Sequence, residues 1–325
     1  MTPPGSLQVL SPGPMTTVQD LGRTGYERYG VPPSGAMDWF ALWAANRLVG
    51  NSPGAAGLEF AMIGPDLRAG CDCLVAAAGV GYDFFVQGRQ VGMWRAALVW
   101  AGEVIHLETL DGAGWGYLAV AGGIDLPPVM GSRSTYLRGG FGGLEGRCLQ
   151  GGDHLPVGSF PPAARQLAGR ELPTDARPGY SAQVSLPVIL GPQQDVFGEK
   201  GLAVLSSSEF SVSSTSDRMG YRLTGPLIPH QGSPDLISEG IVTGAIQVPA
   251  DGQPIVLMSD RPTAGGYPKI ATLARAGLPL LAQVMPGTGR ASFVLVSAAE
   301  AQIECRALVD GIEKGMECDE DRFEL

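Results

Sequence analysis

Apolar and polar residues alternate along this chain in short runs, each closed by Gly, Pro or Asp. Val80 to Val91, Ala97 to Leu107, Gly116 to Ala121, Val184 to Leu190, Glu209 to Ser213, Ile255 to Met258 and Ser292 to Ser297 read as strands on this basis. One segment has a different period. From about Asp38 to Val49, Phe40, Ala44 and Leu48 recur at helical spacing, with Asp38 placed to cap the start and Gly50-Asn51 to end it. A second short helix is expected to begin at Pro268, a residue suited to a first helical position, and to run toward Gly277. The pattern predicts a mainly β chain with few short helices.

At 325 residues the chain can hold two domains or one large all-β unit. A faint repeat favours two. Arg23-x-Gly25-Tyr26-x-x-x-Gly30 matches Arg218-x-Gly220-Tyr221-x-x-x-Gly225, and Glu59 with Gly64 matches Glu239 with Gly244, each followed by a strand-like run. The expected division is a first β domain over 6–160 carrying a helical insertion at 38–49, a Pro-bounded polar linker over 161–180, a second β domain over 181–303, and an acidic, weakly patterned tail over 304–325.

Composition narrows the functional classes. The 48 glycines are about twice the usual share of roughly 7%, yet they follow no collagen period and 44% of residues are hydrophobic, so tight turns between many strands account for them. The five cysteines form no C-x-x-C pair and the three histidines lie far from them, so no zinc site is expected. Sparse thiols and a start without a charged-then-apolar leader point to the cytoplasm. No apolar run reaches membrane-spanning length, and a net charge of −10 argues against nucleic acid as a partner.

The richest stretch is Ser259-Asp260-Arg261-Pro262-Thr263-Ala264-Gly265-Gly266-Tyr267-Pro268-Lys269, which joins an acid, two cations, a phenol and paired glycines free to take positive φ. With Lys269 in the first turn of a helix, backbone donors and cation together suit an anionic ligand; the alternative is a solvated Lys beside a tight turn. Glu239 and Gln247 interrupt strand-like surroundings, and if they point inward they need partners, for which Arg218, Arg261 and Lys269 are available. Gly191-Pro192-Gln193-Gln194-Asp195 and Ser216 to Arg222 belong to the same candidate set, and a purely structural ion-pair network would look identical. Ser34 and Asp38 stand where helix starts meet ligands, although capping explains them equally well. The Gly131 to Arg147 loop, with Arg133 and Arg138, reads either as a mobile lid that closes over an anion or as a glycine loop with solvated arginines. No Walker A loop, Gly-x-Ser-x-Gly elbow or Cys/His pair occurs, leaving electrostatic stabilisation by cations and amides as the expected chemistry.

Taken together, Gly13-Pro14-Met15-Thr16-Thr17-Val18-Gln19-Asp20, Val31-Pro32-Pro33-Ser34-Gly35-Ala36-Met37-Asp38, Ala45-Asn46-Arg47-Leu48-Val49-Gly50-Asn51, Gly131-Ser132-Arg133-Ser134-Thr135-Tyr136, Ser216-Asp217-Arg218-Met219-Gly220-Tyr221 and Gly265-Gly266-Tyr267-Pro268-Lys269-Ile270-Ala271 resemble the allophanate hydrolase subunit 2 family. That family includes the C subunit of 5-oxoprolinase, the Kip-antagonist proteins, and carboxyltransferase subdomains C and D of urea carboxylase. The resemblance implies two tandem cyclophilin-like β-barrel domains. It also implies a heteromer, with partners similar to the A and B subunits of 5-oxoprolinase, that opens 5-oxo-L-proline to L-glutamate using ATP with Mg2+. In that scheme the chain holds no metal of its own, is inactive alone, and uses Asp260, Arg261, Lys269 and Glu239 as catalytic candidates. Ser34, Asp38, Arg133, Arg138, Arg218, Gln247, Gly265, Gly266 and Tyr267 would bind the small amide substrate or its anionic groups. The alternatives are a biotin-dependent carboxyltransferase component and a regulatory protein that sequesters a Kip-inhibitor-type partner. One motif departs from the family: Asp-Arg-Gln-Thr-Thr-Gly-Gly-Tyr becomes Asp260-Arg261-Pro262-Thr263-Ala264-Gly265-Gly266-Tyr267, losing an amide and a hydroxyl.

Overall fold

The computed structural model describes residues 5–159 and 162–317, which form two compact units. The first comprises residues up to Arg23, Ser34–Arg177 and the chain from Val309; the second comprises Thr24–Pro33 and Pro178–Leu308. The chain is mainly β, as its alternation predicts.

In the first unit the elements are β1 (Ser6–Ser11), β2 (Thr17–Gln19), α1 (Trp39–Leu48), β3 (Gly57–Ala61), β4 (Asp66–Ala69), β5 (Cys73–Gly79), β6 (Tyr82–Val86), β7 (Arg89–Gln90), β8 (Arg95–Val99), β9 (Val104–Thr109), β10 (Trp115–Val120) and β11 (His154–Pro156). Two antiparallel sheets result, ordered β11-β1-β4-β9-β6-β7 and β2-β3-β10-β5-β8. Alternation assigns the faces: Leu58, Phe60, Val75, Ala77, Leu118 and Val120 enter one apolar core together with Leu7, Val9, Phe84 and Ile105. The opposite positions of the five-stranded sheet are Glu59, Ala76, Ala78, Tyr117 and Ala119, and their mostly small side chains let α1 lie close. Buried residues occur all round α1, from Trp39 and Phe40 to Asn46 and Leu48, and Asp38 caps it by accepting a hydrogen bond from Ala41 N at 3.0 Å.

The second unit contains β12 (Gln183–Leu190), α2 (Gly198–Ser207), β13 (Glu209–Val212), β14 (Gly220–Thr224), β15 (Glu239–Gly240), β16 (Ala245–Gln247), β17 (Ile255–Leu257), β18 (Ala264–Gly265), β19 (Lys269–Leu273), α3 (Gly277–Ala282) and β20 (Arg290–Leu295). Seven of these strands close a barrel in the order β12-β19-β16-β17-β14-β13-β20, sealed by parallel pairing of β12 with β20. Strands β15 and β18 form a separate two-stranded sheet.

Three sequence expectations change here. The repeat does not place its residues alike: Gly220 and Tyr221 open barrel strand β14, whereas Gly25 and Tyr26 precede a 3-10 turn at Glu27–Tyr29, and Glu59 is buried where Glu239 is exposed. Within the proposed linker, Gly169, Arg170 and Leu172 exchange backbone hydrogen bonds with Trp94 and Ala96, and Leu172 is buried, so this stretch docks on the edge of β8. Of the acidic tail expected over 304–325, 318–325 lie outside the described residues, and the described part belongs to a helix over Ala298–Glu317, here α4. Its start carries a capping box visible in the sequence: Ser297 Oγ accepts from Glu300 N at 3.2 Å, and Glu300 Oε2 accepts from Ser297 N at 2.7 Å.

Candidate functional site

The second unit gathers most of the candidates along the short strand β16. Its last residue, Gln247, registers with Lys269 at the start of β19. Lys269 therefore opens a barrel strand, which corrects the expectation of a helix at Pro268. Ile270 and Thr272 are β-branched and suit a pleated surface, and the segment is paired on both sides, with β12 and β16. The Lys269 N–H donates to Gln193 Oε1 at 3.1 Å, so no bare helix N-terminus is presented. Gly265 and Gly266 also differ from expectation, since neither takes a positive φ. Close approach explains them: a Cβ on Gly265 would lie 2.7 Å from Ile241 Cδ1, and one on Gly266 would lie 2.8 Å from Leu236 O.

The Lys269 side chain is only 7% exposed, and its ammonium donates to Glu239 Oε1, whose own side chain is 44% exposed. Gln193 Nε2 donates to the same oxygen at 2.7 Å. The hydrogen bond from Lys269 holds the Glu239 carboxyl below its ordinary range. Glu239 is thus an ionised acceptor near neutral pH and does not point into the barrel. Gln247 is buried and donates from Nε2 to Tyr267 O at 3.3 Å, while the Tyr267 side chain is exposed.

Beyond the opposite end of β16, Arg261 is 4% exposed and donates to two neutral acceptors, Thr243 Oγ1 at 3.1 Å and Pro262 O at 3.4 Å. Among the described residues no carboxylate forms an ion pair with it; Glu27 acts on it only through its field, and burial lowers the guanidinium's proton affinity. Burying a cation without a paired anion is costly, and its neutral hydrogen-bond acceptors only partly offset that cost. Asp260 is different: its carboxylate accepts from Arg218 Nε at 2.8 Å and Nη2 at 3.2 Å, both side chains being buried, so both are committed to holding the β14 and β17 ends together.

In the first unit Asp38 and Arg133 are held by neighbouring groups. Asp38 caps α1, and its N–H donates to Tyr117 Oη at 2.8 Å. That phenol donates to buried Glu59 Oε2 at 2.7 Å, which also accepts from Met37 N at 2.7 Å. Burial, then the charges of Glu59 and Asp38, push the Tyr117 phenol up. Ser34 is buried at a φ of 55°, and its Oγ finds no partner among the described residues. The Gly131 to Arg147 loop is not a loose lid. Asp20 Oδ1 accepts from Ser132 Oγ at 2.7 Å and from Ser134 Oγ, Oδ2 accepts from Arg133 N at 2.6 Å, and Ser132, Ser134 and Thr135 are buried. The Arg133 guanidinium is taken by Leu126 O and Asp125, and Arg147 grips Asp153 at 2.7 and 3.0 Å; Arg138 is exposed. Cys73 lies in the core with its thiol pushed up to about 12 by burial, which excludes it as a nucleophile.

Sequence reasoning assigns no role to Asp20 or the Glu59–Tyr117 pair, and it places Gln193 in a candidate segment without a role of its own. Gln193 sits in a turn after β12, and only the fold shows that it reaches both Lys269 and Glu239. Only Asp20, preceding the spaced serines 132 and 134 by more than a hundred positions, could have been suspected, and then only with knowledge of which segments meet in space.

Among known proteins, the carboxyltransferase domain, subdomain A and B, matches residues 29–294. The chain is 39% identical to the 5-oxoprolinase C subunit of Escherichia coli (strain K12) over 86% of this chain and 88% of that protein. It is 36% identical to the 5-oxoprolinase C subunit of Haemophilus influenzae over 91% of this chain and 93% of that protein. Urea amidolyase of Saccharomyces cerevisiae is 31% identical over 87% of this chain but only 16% of its own length. The crystal structure of K. lactis urea amidolyase covers 96% of this chain and 20% of that chain, with a TM-score of 0.88 at 30% identity. The matched subdomains are lettered A and B, where the motifs suggested C and D. By the extent of that match, the chain belongs to the carboxyltransferase domain family, subdomain A and B.

Proposed function

We propose that this chain is the C subunit of an ATP-dependent 5-oxoprolinase, which converts 5-oxo-L-proline, ATP and water to L-glutamate, ADP and phosphate. The observation that carries this reading is coverage: the match spans nearly the whole of two proteins that bear the name of the 5-oxoprolinase C subunit, against a sixth of each urea amidolyase. The second unit's chemistry is compatible. A carboxylate-bearing lactam, activated by phosphorylation at its carbonyl oxygen, needs cations to hold the carboxylate and the transferred phosphoryl group, and Arg261 and Lys269 are buried cations. Water then attacks the activated carbon, the C–N bond breaks with the amine as leaving group, and a second water cleaves the acyl phosphate to the carboxylate and free phosphate. Asp260 acts by fixing Arg218 and the backbone that carries Arg261, and Glu239 acts as an ionised acceptor.

Mg2+ enters with the nucleotide. Among the described residues no group of three or more His, Cys, Asp or Glu side chains is arranged to hold a metal. Partners of the A and B types complete the assembly, which we place in the cytoplasm; among the described residues no helix is long and apolar enough to cross a membrane. The test is reconstitution with those partners, scoring ATP-dependent release of glutamate from 5-oxoproline. A stable complex that releases none overturns the reading and favours a regulatory role.

The likeness to K. lactis urea amidolyase supports a second reading, a carboxyltransferase component in which the same cations meet the carboxylate of carboxybiotin. Specific binding of a biotinylated carrier protein, with no 5-oxoproline turnover in the reconstituted complex, selects it.

A further inference from the structure

We propose that Glu239 is an internal stand-in for a ligand carboxylate, and that Lys269 and Gln193 form an exchangeable carboxylate subsite from which a substrate displaces it. The geometry is convergent. Lys269 Nζ and Gln193 Nε2 both donate to one oxygen, Glu239 Oε1, while Oε2 receives no hydrogen bond from a described residue. Two donors aimed at one oxygen, one of them an ammonium, are what a small monocarboxylate requires.

The two sides of the pair are unequal in anchorage. Lys269 is a buried barrel residue whose N–H is itself tied to Gln193 Oε1, so Gln193 fixes the ammonium's strand and the second donor at once. Glu239 belongs to β15, a two-residue strand outside the barrel that pairs only with β18. The arm around it carries Ile237 at 94% exposure and an exposed Val242, and is held by few backbone bonds, among them Leu236 N to Gly266 O at 2.7 Å and Ile241 N to Thr263 O at 3.0 Å. The arm's apolar anchor is Ile241, buried beside Ala245 and Leu257, whereas Ile237, Ser238, Glu239 and Gly240 before it are exposed, so the stretch that carries Glu239 opens at lower cost than the barrel strands. Among the described residues Glu239 is the one anion paired with Lys269, so if the arm lifts, a buried ammonium is left uncompensated unless another carboxylate replaces it. The resident carboxylate and an incoming one therefore compete for the same donors.

Only the identity of the ligand rests on the 5-oxoprolinase reading, in which the carboxylate is that of 5-oxo-L-proline. The test titrates the full chain with acetate, 5-oxo-L-proline and 2-pyrrolidinone, the same ring without the carboxylate, by NMR. In Glu239→Gln, acetate and 5-oxoproline are expected to bind about tenfold tighter than in wild type, while 2-pyrrolidinone is unchanged; adding Lys269→Met abolishes the gain. Glu239→Asp, which keeps the charge on a shorter arm, gives a smaller gain and serves if Glu239→Gln folds poorly. Carboxylate affinity that stays level or falls in both Glu239 variants overturns the proposal, as does an equal gain for 2-pyrrolidinone. If acetate tightens and 5-oxoproline binds no better than acetate, the subsite stands and the 5-oxoprolinase reading fails.

Discussion

Arg218 and Asp260 face each other as a two-point ion pair, with Nε to Oδ2 at 2.8 Å, Nη2 to Oδ1 at 3.2 Å, and both side chains almost fully buried. The Asp260 N–H also donates to Arg218 O at 2.8 Å, so the two residues are locked by backbone and side chain alike. Removing one member leaves the other charged and unpaired out of water. Asp260→Ala is expected to cost about 3–5 kcal/mol of stability, and Arg218→Met with Asp260→Leu together much less. Denaturant unfolding of the single and double variants measures the difference.

Arg261 next to this pair should behave in the opposite way. Its guanidinium is buried against neutral acceptors, so replacing it by Met removes an uncompensated charge. Stability should hold or rise, whereas kcat/KM of the reconstituted enzyme should fall about 10²–10³-fold, the effect typical of losing one donor to a developing anion. Arg261→Lys should restore little, because an ammonium cannot reproduce the planar fork. Normal turnover in Arg261→Met would make the residue purely structural.

These two neighbours show how far the sequence could be read. The cluster Arg218, Asp260, Arg261, Lys269, Glu239 and Gln247 was visible as an unusual density of charge among strands, and Asp38 was visible as a cap before a period-four run. What could not be read was division of labour. Which acid meets which base depends on barrel register, and register puts Gln247 opposite Lys269 and sends Asp260 to Arg218. The Pro268 reading failed because proline fits a helix start and a strand entry equally well locally, and the decision came from pairing with β12 and β16, which lie far away in sequence. The serine-rich arginine loop misled for a related reason: its anionic partner, Asp20, is an acid from the other end of the first unit.

The Glu59–Tyr117–Asp38 chain of hydrogen bonds predicts a stability role in the first unit. Tyr117→Phe deletes the donor to a buried carboxylate and the acceptor of the Asp38 N–H while keeping the ring. Glu59 keeps its bond from Met37 N but loses the phenol, and the Asp38 N–H loses its acceptor, so a total loss of about 1–3 kcal/mol is expected. Thermal unfolding should report it, and near-wild-type stability would mean that water or a rearranged side chain fills the gap.

Gly266 offers a test of the arm that bears Glu239. A methyl there would meet Leu236 O at 2.8 Å and push the arm off the strand that carries Gly265. Gly266→Ala should raise amide exchange at Leu236 and Ile241 while leaving the barrel strands protected. Unchanged exchange would show that the arm tolerates the methyl in place.

The ionisation of Glu239 fixes the sign of a pH effect. Its carboxyl titrates below the ordinary 4.5 in the folded chain because Lys269 and then Gln193 donate to the charged form. Below 4.5 the unfolded chain takes up this proton before the folded one does, so stability from the pair is complete above that value and is lost as pH falls through the lowered folded value. Asp153, held low mainly by the Arg147 hydrogen bond, loses its contribution in the same acid range. Wild type minus Glu239→Gln, followed by urea unfolding from about pH 6 to about pH 3, should shrink toward zero on the acid side, and Asp153→Asn should show a separate, additive loss. A Glu239 contribution that grows on acidification would mean that the carboxyl is protonated in the native state, which is incompatible with its pairing to Lys269.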